Sequence, residues 1–219
     1  FERKGTRSMK KKIAAICLCV CLLAVAVAGG TLAYFTDSKT ATNTFTMGNV
    51  TITLDETDVA NPTGPRVQQN SYTVAPGMEV TKDPIVHNTG SNGAYLRAKV
   101  NVSGWRAIVT ACYPSFTTAF GADGYEDSLL LLVDQLGDGW SVESAENGTA
   151  DGDVLFVLKY DGVLDAGEDT SAMFETVTVP EGLNNQTAAS FRAMTVQAEA
   201  IQSDNFTSWA EAFAAYDGN

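Results

Sequence analysis

The chain has 219 residues, of which 45% are hydrophobic and 18% are charged, so it is long enough for one compact β-type domain or two small ones. The formal net charge is -12, and the 186 residues after position 33 hold 8 basic and 25 acidic side chains. This charge repels phosphate backbones and anionic lipids, which excludes nucleic acid as a partner.

An N-terminal basic and apolar segment has the pattern of a leader. Lys10, Lys11 and Lys12 precede the uncharged run 13–28, and Gly29-Gly30-Thr31-Leu32-Ala33 follows it. This order is typical of a secretory signal peptide, and the run is shorter than the roughly 20 residues of a membrane span. Small residues at positions 31 and 33 predict cleavage between Ala33 and Tyr34. The alternative is an uncleaved anchor, which would be the chain's only membrane contact.

Three of the four cysteines lie in the predicted leader. Cys17, Cys19 and Cys21 lie in the apolar run, so a cleaved chain retains Cys112 alone. One thiol cannot form an intramolecular disulfide. The lack of disulfides in a secreted domain indicates that the protein lies outside a Gram-positive bacterium.

Several motifs resemble the TasA/camelysin family. They are Gly30-Thr31-Leu32-Ala33-Tyr34-Phe35-Thr36-Asp37, Met47-Gly48-Asn49-Val50-Thr51-Ile52, Ala75-Pro76-Gly77, Asn88-Thr89-Gly90-Ser91, Ala94-Tyr95-Leu96-Arg97 and Ala198-Glu199-Ala200-Ile201-Gln202. The resemblance implies an extracellular matrix or cell-surface protein of Gram-positive bacteria, processed by a SipW-type signal peptidase. It also implies biofilm-matrix filaments built by donor-strand exchange.

The residues after the leader form short alternating runs between turn residues. Apolar residues alternate in 50–54, 94–102 and 191–201, while 154–158 is continuously apolar and 174–179 is a further candidate strand. This pattern predicts a mainly β fold, an antiparallel β-sandwich of the jelly-roll type.

Two segments have helical features. Residues 126–136 contain five consecutive apolar residues after two acids, which predicts a short helix, with a strand as the alternative. Trp209, Phe213 and Tyr216 have helical spacing within 208–216, which predicts a terminal helix docked by its aromatic face. Residues 55–71 are rich in turn formers and are expected to form a loop.

These features divide the chain into three parts. Residues 1–33 are an N-terminal extension and signal peptide, residues 34–55 are a donor segment followed by the first strand, and residues 56–219 are the sandwich domain.

The sequence offers little for catalysis. The resemblance to camelysin implies a metallopeptidase, but His87 is the only histidine and no His-Glu-x-x-His motif is present. Cys112 has no second histidine to activate it, although a His87–Cys112 pair remains open. We therefore predict no catalytic residues and no enzyme activity.

Acidic turns are weak candidates for calcium. Oxygen ligands in glycine-containing turns suit Ca²⁺, but no EF-hand pattern is present. The candidate ligands are Asp151, Asp153, Asp161, Asp165, Glu168 and Asp169. The alternative is a solvated acidic surface, and no cofactor is otherwise expected.

The segment after the predicted cleavage site is the candidate donor strand. It is β-prone and lightly charged, without proline or glycine, and its key residues are Tyr34, Phe35, Thr36, Thr40, Thr42, Thr44, Phe45 and Thr46. Such a segment pairs well with a free sheet edge. We expect cleavage to release it for self-association; pairing within its own domain is the alternative.

The sequence therefore predicts a secreted structural protein that polymerises through its N-terminal strand. Two alternatives remain open: a camelysin-type cell-surface metallopeptidase, and a ligand-binding module that uses the acidic surface or the 55–71 loop.

Overall fold

The structure is a computed structural model that describes residues 50–218. The strands are β1 Ile52–Asp55, β2 Glu79–Thr81, β3 Ile85–Asn88, β4 Ala94–Val102, β5 Trp140–Asn147, β6 Val154–Tyr160, β7 Thr176–Thr178 and β8 Met194–Gln202. The helices are α1 Trp105–Cys112, α2 Asn185–Ala188 and α3 Trp209–Asp217, with 3₁₀ helices at Tyr125–Leu131 and Ser203–Asn205.

The largest sheet has four strands in the order β5-β6-β4-β8, and each neighbouring pair is antiparallel. The central position of β6 explains the continuous apolar run 154–158, because a strand between two neighbours and beneath other elements is covered on both faces. A bulge between Val142 and Ser144 interrupts the β5–β6 register.

Two small antiparallel sheets, β1–β3 and β2–β7, complete the β structure. Their inward residues Ile52, Val86 and Val177 join the same apolar core as Leu96 and Phe156 of the large sheet. The fold is therefore mainly β and antiparallel, with sheets packed around one core, as the sequence predicted.

Strand β4 has the predicted bounds. Its core-facing residues Ala94, Leu96, Ala98, Val100 and Val102 are all fully buried. The opposite face also carries buried residues, Arg97 and Asn101. A period-two pattern alone would assign those polar residues to solvent, whereas other elements cover them here.

The terminal helix is confirmed. Ser208 caps α3 by accepting a hydrogen bond from the backbone N–H of Glu211, as helix-starting serines commonly do. Trp209 packs against Phe213, and its indole Nε1 donates to the Leu96 carbonyl at 2.6 Å. The aromatic face of α3 thus docks on the outer side of the large sheet.

The predicted helix at 126–136 forms as a shorter 3₁₀ helix, Tyr125–Leu131. Leu129 within this helix is buried, and so are Leu132 and Val133 directly after it. The expected strand 174–179 has only three residues, Thr176–Thr178. Within the expected loop 55–71, β1 ends at Asp55 and a single bridge joins Glu56 to Val67.

Helix α1 and strand β5 were not predicted. The α1 helix follows Gly104, whose φ of 65° favours glycine, and Asp153 accepts a hydrogen bond from the Gly104 N–H at 2.9 Å. Trp105 and Ile108 then enter the core with no exposed area. This contact is formed by residues 49 positions apart in the sequence, which local patterning does not show.

Candidate functional site

The predicted cleavage position, Ala33 and Tyr34, lies outside the described residues. The same holds for the whole candidate donor strand, Tyr34, Phe35, Thr36, Thr40, Thr42, Thr44, Phe45 and Thr46. What the structure describes is the surface that such a strand would join.

Strand β8 lies at one edge of the large sheet as described: β4 is its hydrogen-bonded neighbour, and β1 packs near it without strand pairing. Its nine residues contain no lysine, proline or glycine, and their single charge is the buried Glu199. The β4–β8 register runs through all nine pairs without interruption. Protein edges are usually protected against pairing by lysine, proline or bulges, and β8 has none of these.

The direction of the backbone groups of β8 follows from the register. Ser103 N donates to Ala193 O at 3.0 Å, and Ser203 N donates to Gly93 O at 2.9 Å. Hydrogen-bonded and non-bonded pairs alternate along an antiparallel ladder, so odd-numbered residues of β8 bond to β4. Even-numbered residues therefore direct their N–H and C=O away from β4.

In the first half of β8 the outward residues are Met194, Val196 and Ala198. Their outward backbone groups form no hydrogen bond with any other described residue. Their side chains face the core, where Met194 and Val196 are only partly buried although their partners Val102 and Val100 are fully buried. With respect to residues 50–218, this half of the edge thus combines unpaired backbone with incompletely covered apolar surface.

The opposite edge, β5, is different. Its bulge lies between Val142 and Ser144, and it carries Glu143 and Glu146. The 3₁₀ helix Tyr125–Leu131 also packs against it. A bulge, two acids and a covering helix are the usual protections of a sheet edge.

The outer face of the second half of β8 is fixed by an ion-pair network. Arg97 of β4 contacts Glu199 at 2.6 Å and Asp217 of α3 at 2.6 Å, and Lys99 contacts Glu199 at 2.7 Å. Burial tends to lower the pKa of Arg97, but the hydrogen bonds to Asp217 and Glu199 raise it. The same contact with Arg97 lowers the pKa of Asp217. The guanidinium also lies 4.4 Å from the centre of the Phe213 ring.

A second network holds β1, the first described strand. Arg66 contacts Asp55 at 2.6 Å and Asp83 at 2.9 Å, and Thr57 donates to Asp83 through both its N–H and its hydroxyl at 2.7 Å. Lys82 pairs with Glu56 at 2.7 Å, with both side chains largely buried. Burial opposes ionisation of Asp83, yet the hydrogen bonds from Thr57 and Arg66 hold its pKa below the usual value.

His87 belongs to this network. Its Nδ1 lies 2.7 Å from Asp169 and its Nε2 lies 3.1 Å from Asp55. Only the doubly protonated imidazolium can donate to both carboxylates. Partial burial lowers the pKa of His87, but the hydrogen bonds to Asp55 and Asp169 raise it above its ordinary value.

The possible His87–Cys112 pair gains no support from these contacts. Cys112 ends α1, and burial raises the pKa of its thiol, which disfavours the reactive thiolate. Within residues 50–218, His87 and Cys112 share no hydrogen bond.

The calcium candidates are dispersed. Asp151 is exposed, whereas the buried Asp153 accepts hydrogen bonds from Gly104, Asn101 and Thr149, which keep its pKa low although burial opposes ionisation. The others are exposed; Asp161 lies 3.3 Å from Lys159, and Asp169 contacts His87. Among the described residues, no three or more His, Cys, Asp or Glu are grouped so that they could hold a metal.

The sequence predicted β8 as a strand but not as an edge. Alternation shows which residues face the core, whereas strand order depends on long-range pairing that no local signal reports. The absence of lysine and proline from 194–202 was the one available signal of an unprotected edge.

Comparison with known proteins gives one match. Residues 8–103 match the family model described as camelysin metallo-endopeptidase. That range includes β1 to β4 and ends before α1. No curated protein and no solved structure matches the chain. No helix in the described part of the chain is long and apolar enough to cross a membrane.

Proposed function

We propose that this chain, which belongs to the TasA/camelysin family of cell-surface and secreted proteins, is a fibre-forming structural subunit. After cleavage between Ala33 and Tyr34 by a SipW-type peptidase, residues 34–46 of one copy would pair with β8 of the next. The resulting polymer would form part of the extracellular matrix of a Gram-positive bacterium.

The observation that carries this proposal is the exposed first half of β8. Met194, Val196 and Ala198 direct backbone donors and acceptors away from β4, and Met194 and Val196 retain exposed apolar area. An added strand would satisfy those groups and cover those side chains. No bulge or lysine in β8 opposes such pairing.

The donor sequence has matching properties. Phe35, Ala41 and Phe45 lie at odd-numbered positions, so they would share one face of an extended strand, together with the polar residues at positions 37, 39 and 43. Burial of the two phenylalanines at roughly 1.5 to 3 kcal/mol each would supply on the order of 5 kcal/mol before ordering costs. A head-to-tail contact that does not close into a ring propagates as a fibre.

The anchoring of β1 also supports this arrangement. Arg66, Asp55 and Asp83 hold the chain just after the donor segment through buried or half-buried ion pairs. A donor strand transmits force between subunits only if its own domain holds it firmly. The network around β1 provides that attachment.

We also propose that the chain has no peptidase activity. The family description names a metallo-endopeptidase, for which a histidine is the usual metal ligand. Both ring nitrogens of His87, the single histidine, lie against carboxylates. An imidazolium in that position has no lone pair for a metal.

The test is negative-stain electron microscopy of the secreted chain, together with N-terminal sequencing. We expect a mature N-terminus at Tyr34 and fibres that disappear when residues 34–46 are deleted. Casein hydrolysis that is abolished by a chelator and by His87→Ala, in a preparation that forms no fibres, would instead support the peptidase.

A further inference from the structure

An aromatic cavity lies beside α1, on a part of the molecule that the proposed assembly does not use. Its volume is about 410 Å³, which is in the range of small-ligand pockets. Its walls come from α1, the following segment 113–120 and the start of the 3₁₀ helix. Among the lining residues are Arg106, the aromatic residues Tyr113, Phe116, Phe120 and Tyr125, and the neighbouring Thr117 and Thr118.

Arg106 brings an uncompensated positive charge to this cavity. Unlike Arg66, Lys82, Arg97 and Lys99, it forms no ion pair with any described carboxylate. Its Nη2 donates to the neutral amide of Asn147 at 2.7 Å and to the Asp153 carbonyl at 3.4 Å, and its Nε is buried without a hydrogen-bond partner. Nη1 is not buried and forms no hydrogen bond with any described residue, so Arg106 retains a free donor for an anion.

The aromatic walls are preorganised. The Arg106 guanidinium lies 4.0 Å from the centre of the Phe120 ring. The rings of Phe116 and Phe120 both meet the buried Tyr125 edge to face, at 5.8 and 5.2 Å between centres. These contacts hold apolar ring surfaces next to a cation, although Tyr113, Phe116 and Phe120 each remain partly exposed.

The rim of the cavity carries free hydroxyl groups. The side chains of Thr117 and Thr118 form no hydrogen bond within residues 50–218, and both line the cavity. The site therefore combines apolar ring faces, an unpaired cation and hydroxyl groups that can both donate and accept hydrogen bonds.

From this combination we infer that the cavity binds an acidic sugar unit, a pyranose ring that carries a carboxylate. The carboxylate would pair with Arg106, the apolar C–H face of the ring would pack on Phe116 and Phe120, and the ring hydroxyls would reach Thr117 and Thr118. Although the chain is strongly acidic, the lysines and arginines named above are paired with carboxylates, so Arg106 is the cation of this cavity that can attract an anion.

The chemistry favours a sugar acid over an aromatic peptide terminus. Both would offer a carboxylate and an apolar face, but only the sugar carries several hydroxyls for the two threonines at the rim. A protein at the cell surface or outside the cell also encounters acidic sugars. The net charge of -12 opposes binding of a whole polyanion, so the cavity would take one acidic sugar unit through the local charge of Arg106.

The experiment is isothermal titration calorimetry of the secreted chain with a trigalacturonate probe. We expect saturable binding that weakens with added salt, at least tenfold tighter than the binding of the neutral trisaccharide maltotriose. Arg106→Gln should reduce the affinity at least tenfold, and Phe120→Ala should do the same. Arg192→Gln, which changes an exposed arginine that does not line the cavity, should have no effect.

Thermal unfolding of each variant shows whether its fold is intact, and Arg106→Lys keeps the charge if Arg106→Gln fails to fold; we expect that variant to retain salt-dependent binding. The inference is overturned by absence of binding at millimolar trigalacturonate, by equal losses in Arg106→Gln and Arg192→Gln, or by N-acetylphenylalanine binding where the sugar does not. None of these outcomes bears on fibre formation.

Discussion

Val196 and Val100 lie opposite each other on β8 and β4, yet Val100 is fully buried whereas Val196 remains partly exposed. Both side chains point toward the same core. The difference arises because β4 has a strand on each side while β8 is an edge of the described sheet. A strand added along β8 would give Val196 the environment of Val100.

The first prediction concerns the outward N–H of Val196. Val196→Pro removes that donor without removing a hydrogen bond to β4, so we expect a folded domain that forms no fibres. The control is Thr195→Pro, which removes a bond within the sheet and should lower the unfolding temperature. Electron microscopy and thermal unfolding measure the two effects; fibres of normal length from Val196→Pro would contradict the role of this edge.

The second prediction uses the donor segment as a separate molecule. A synthetic peptide of residues 34–46 should bind the chain that lacks those residues and should stop fibre growth of the intact chain. A peptide of the same composition in scrambled order is the control, because it loses the even spacing of Phe35, Ala41 and Phe45. Equal inhibition by both peptides, measured by light scattering, would argue against specific strand pairing.

The third prediction concerns the attachment of α3. Arg97→Ala leaves the buried Glu199 with Lys99 alone and releases Asp217, so we expect a loss of about 3 kcal/mol in the free energy of unfolding. Lys159→Ala breaks a more exposed pair with Asp161 and should cost less than about 1 kcal/mol. Urea unfolding measures both; similar small effects would mean that the Arg97 network does not hold the helix.

The fourth prediction is a pH dependence from His87. Its pKa in the folded state is raised above the ordinary value of 6.5, so its contribution to stability is complete below that value and is lost as the pH rises through the folded-state pKa. The free energy of unfolding should therefore fall as the pH rises above 6.5 and through the raised pKa of His87. His87→Gln should flatten this change, and Asp169→Asn should reduce it. An unchanged slope in His87→Gln would assign the pH dependence to other groups.

The fifth prediction compares two aspartates of one turn. Asp153→Ala removes the acceptor of Gly104, Asn101 and Thr149 and should destabilise the domain by about 2 kcal/mol. The exposed Asp151→Ala should change stability by less than about 0.5 kcal/mol. Both variants are measured without and with millimolar calcium; a calcium-dependent thermal shift that either substitution abolishes would establish the turn as a metal site.

Local patterns predicted some elements well. The alternation over 94–102 gave the bounds of β4, and the spacing of Trp209, Phe213 and Tyr216 predicted α3, because in both cases burial repeats with the period of the element itself. The family resemblance was also confirmed, over residues 8–103.

Other features depend on distant contacts. Helix α1 begins where Asp153 fixes the Gly104 backbone, and Arg97 is buried because α3 supplies Asp217 from the far end of the chain. The position of β8 at an edge follows from the order of four strands. None of these relations has a local period, so the sequence alone could not have placed the β8 edge or the Arg106 cavity.

The central claim is that the N-terminal strand of one copy completes the sheet of another. A cryo-electron microscopy reconstruction of fibres grown from the secreted chain tests it most directly. The account predicts density for residues 34–46 hydrogen-bonded along β8 of the adjacent subunit, in contact with its Val196. Density that joins residues 34–46 to β8 of the same subunit, or fibres in which Val196 faces solvent, would contradict it.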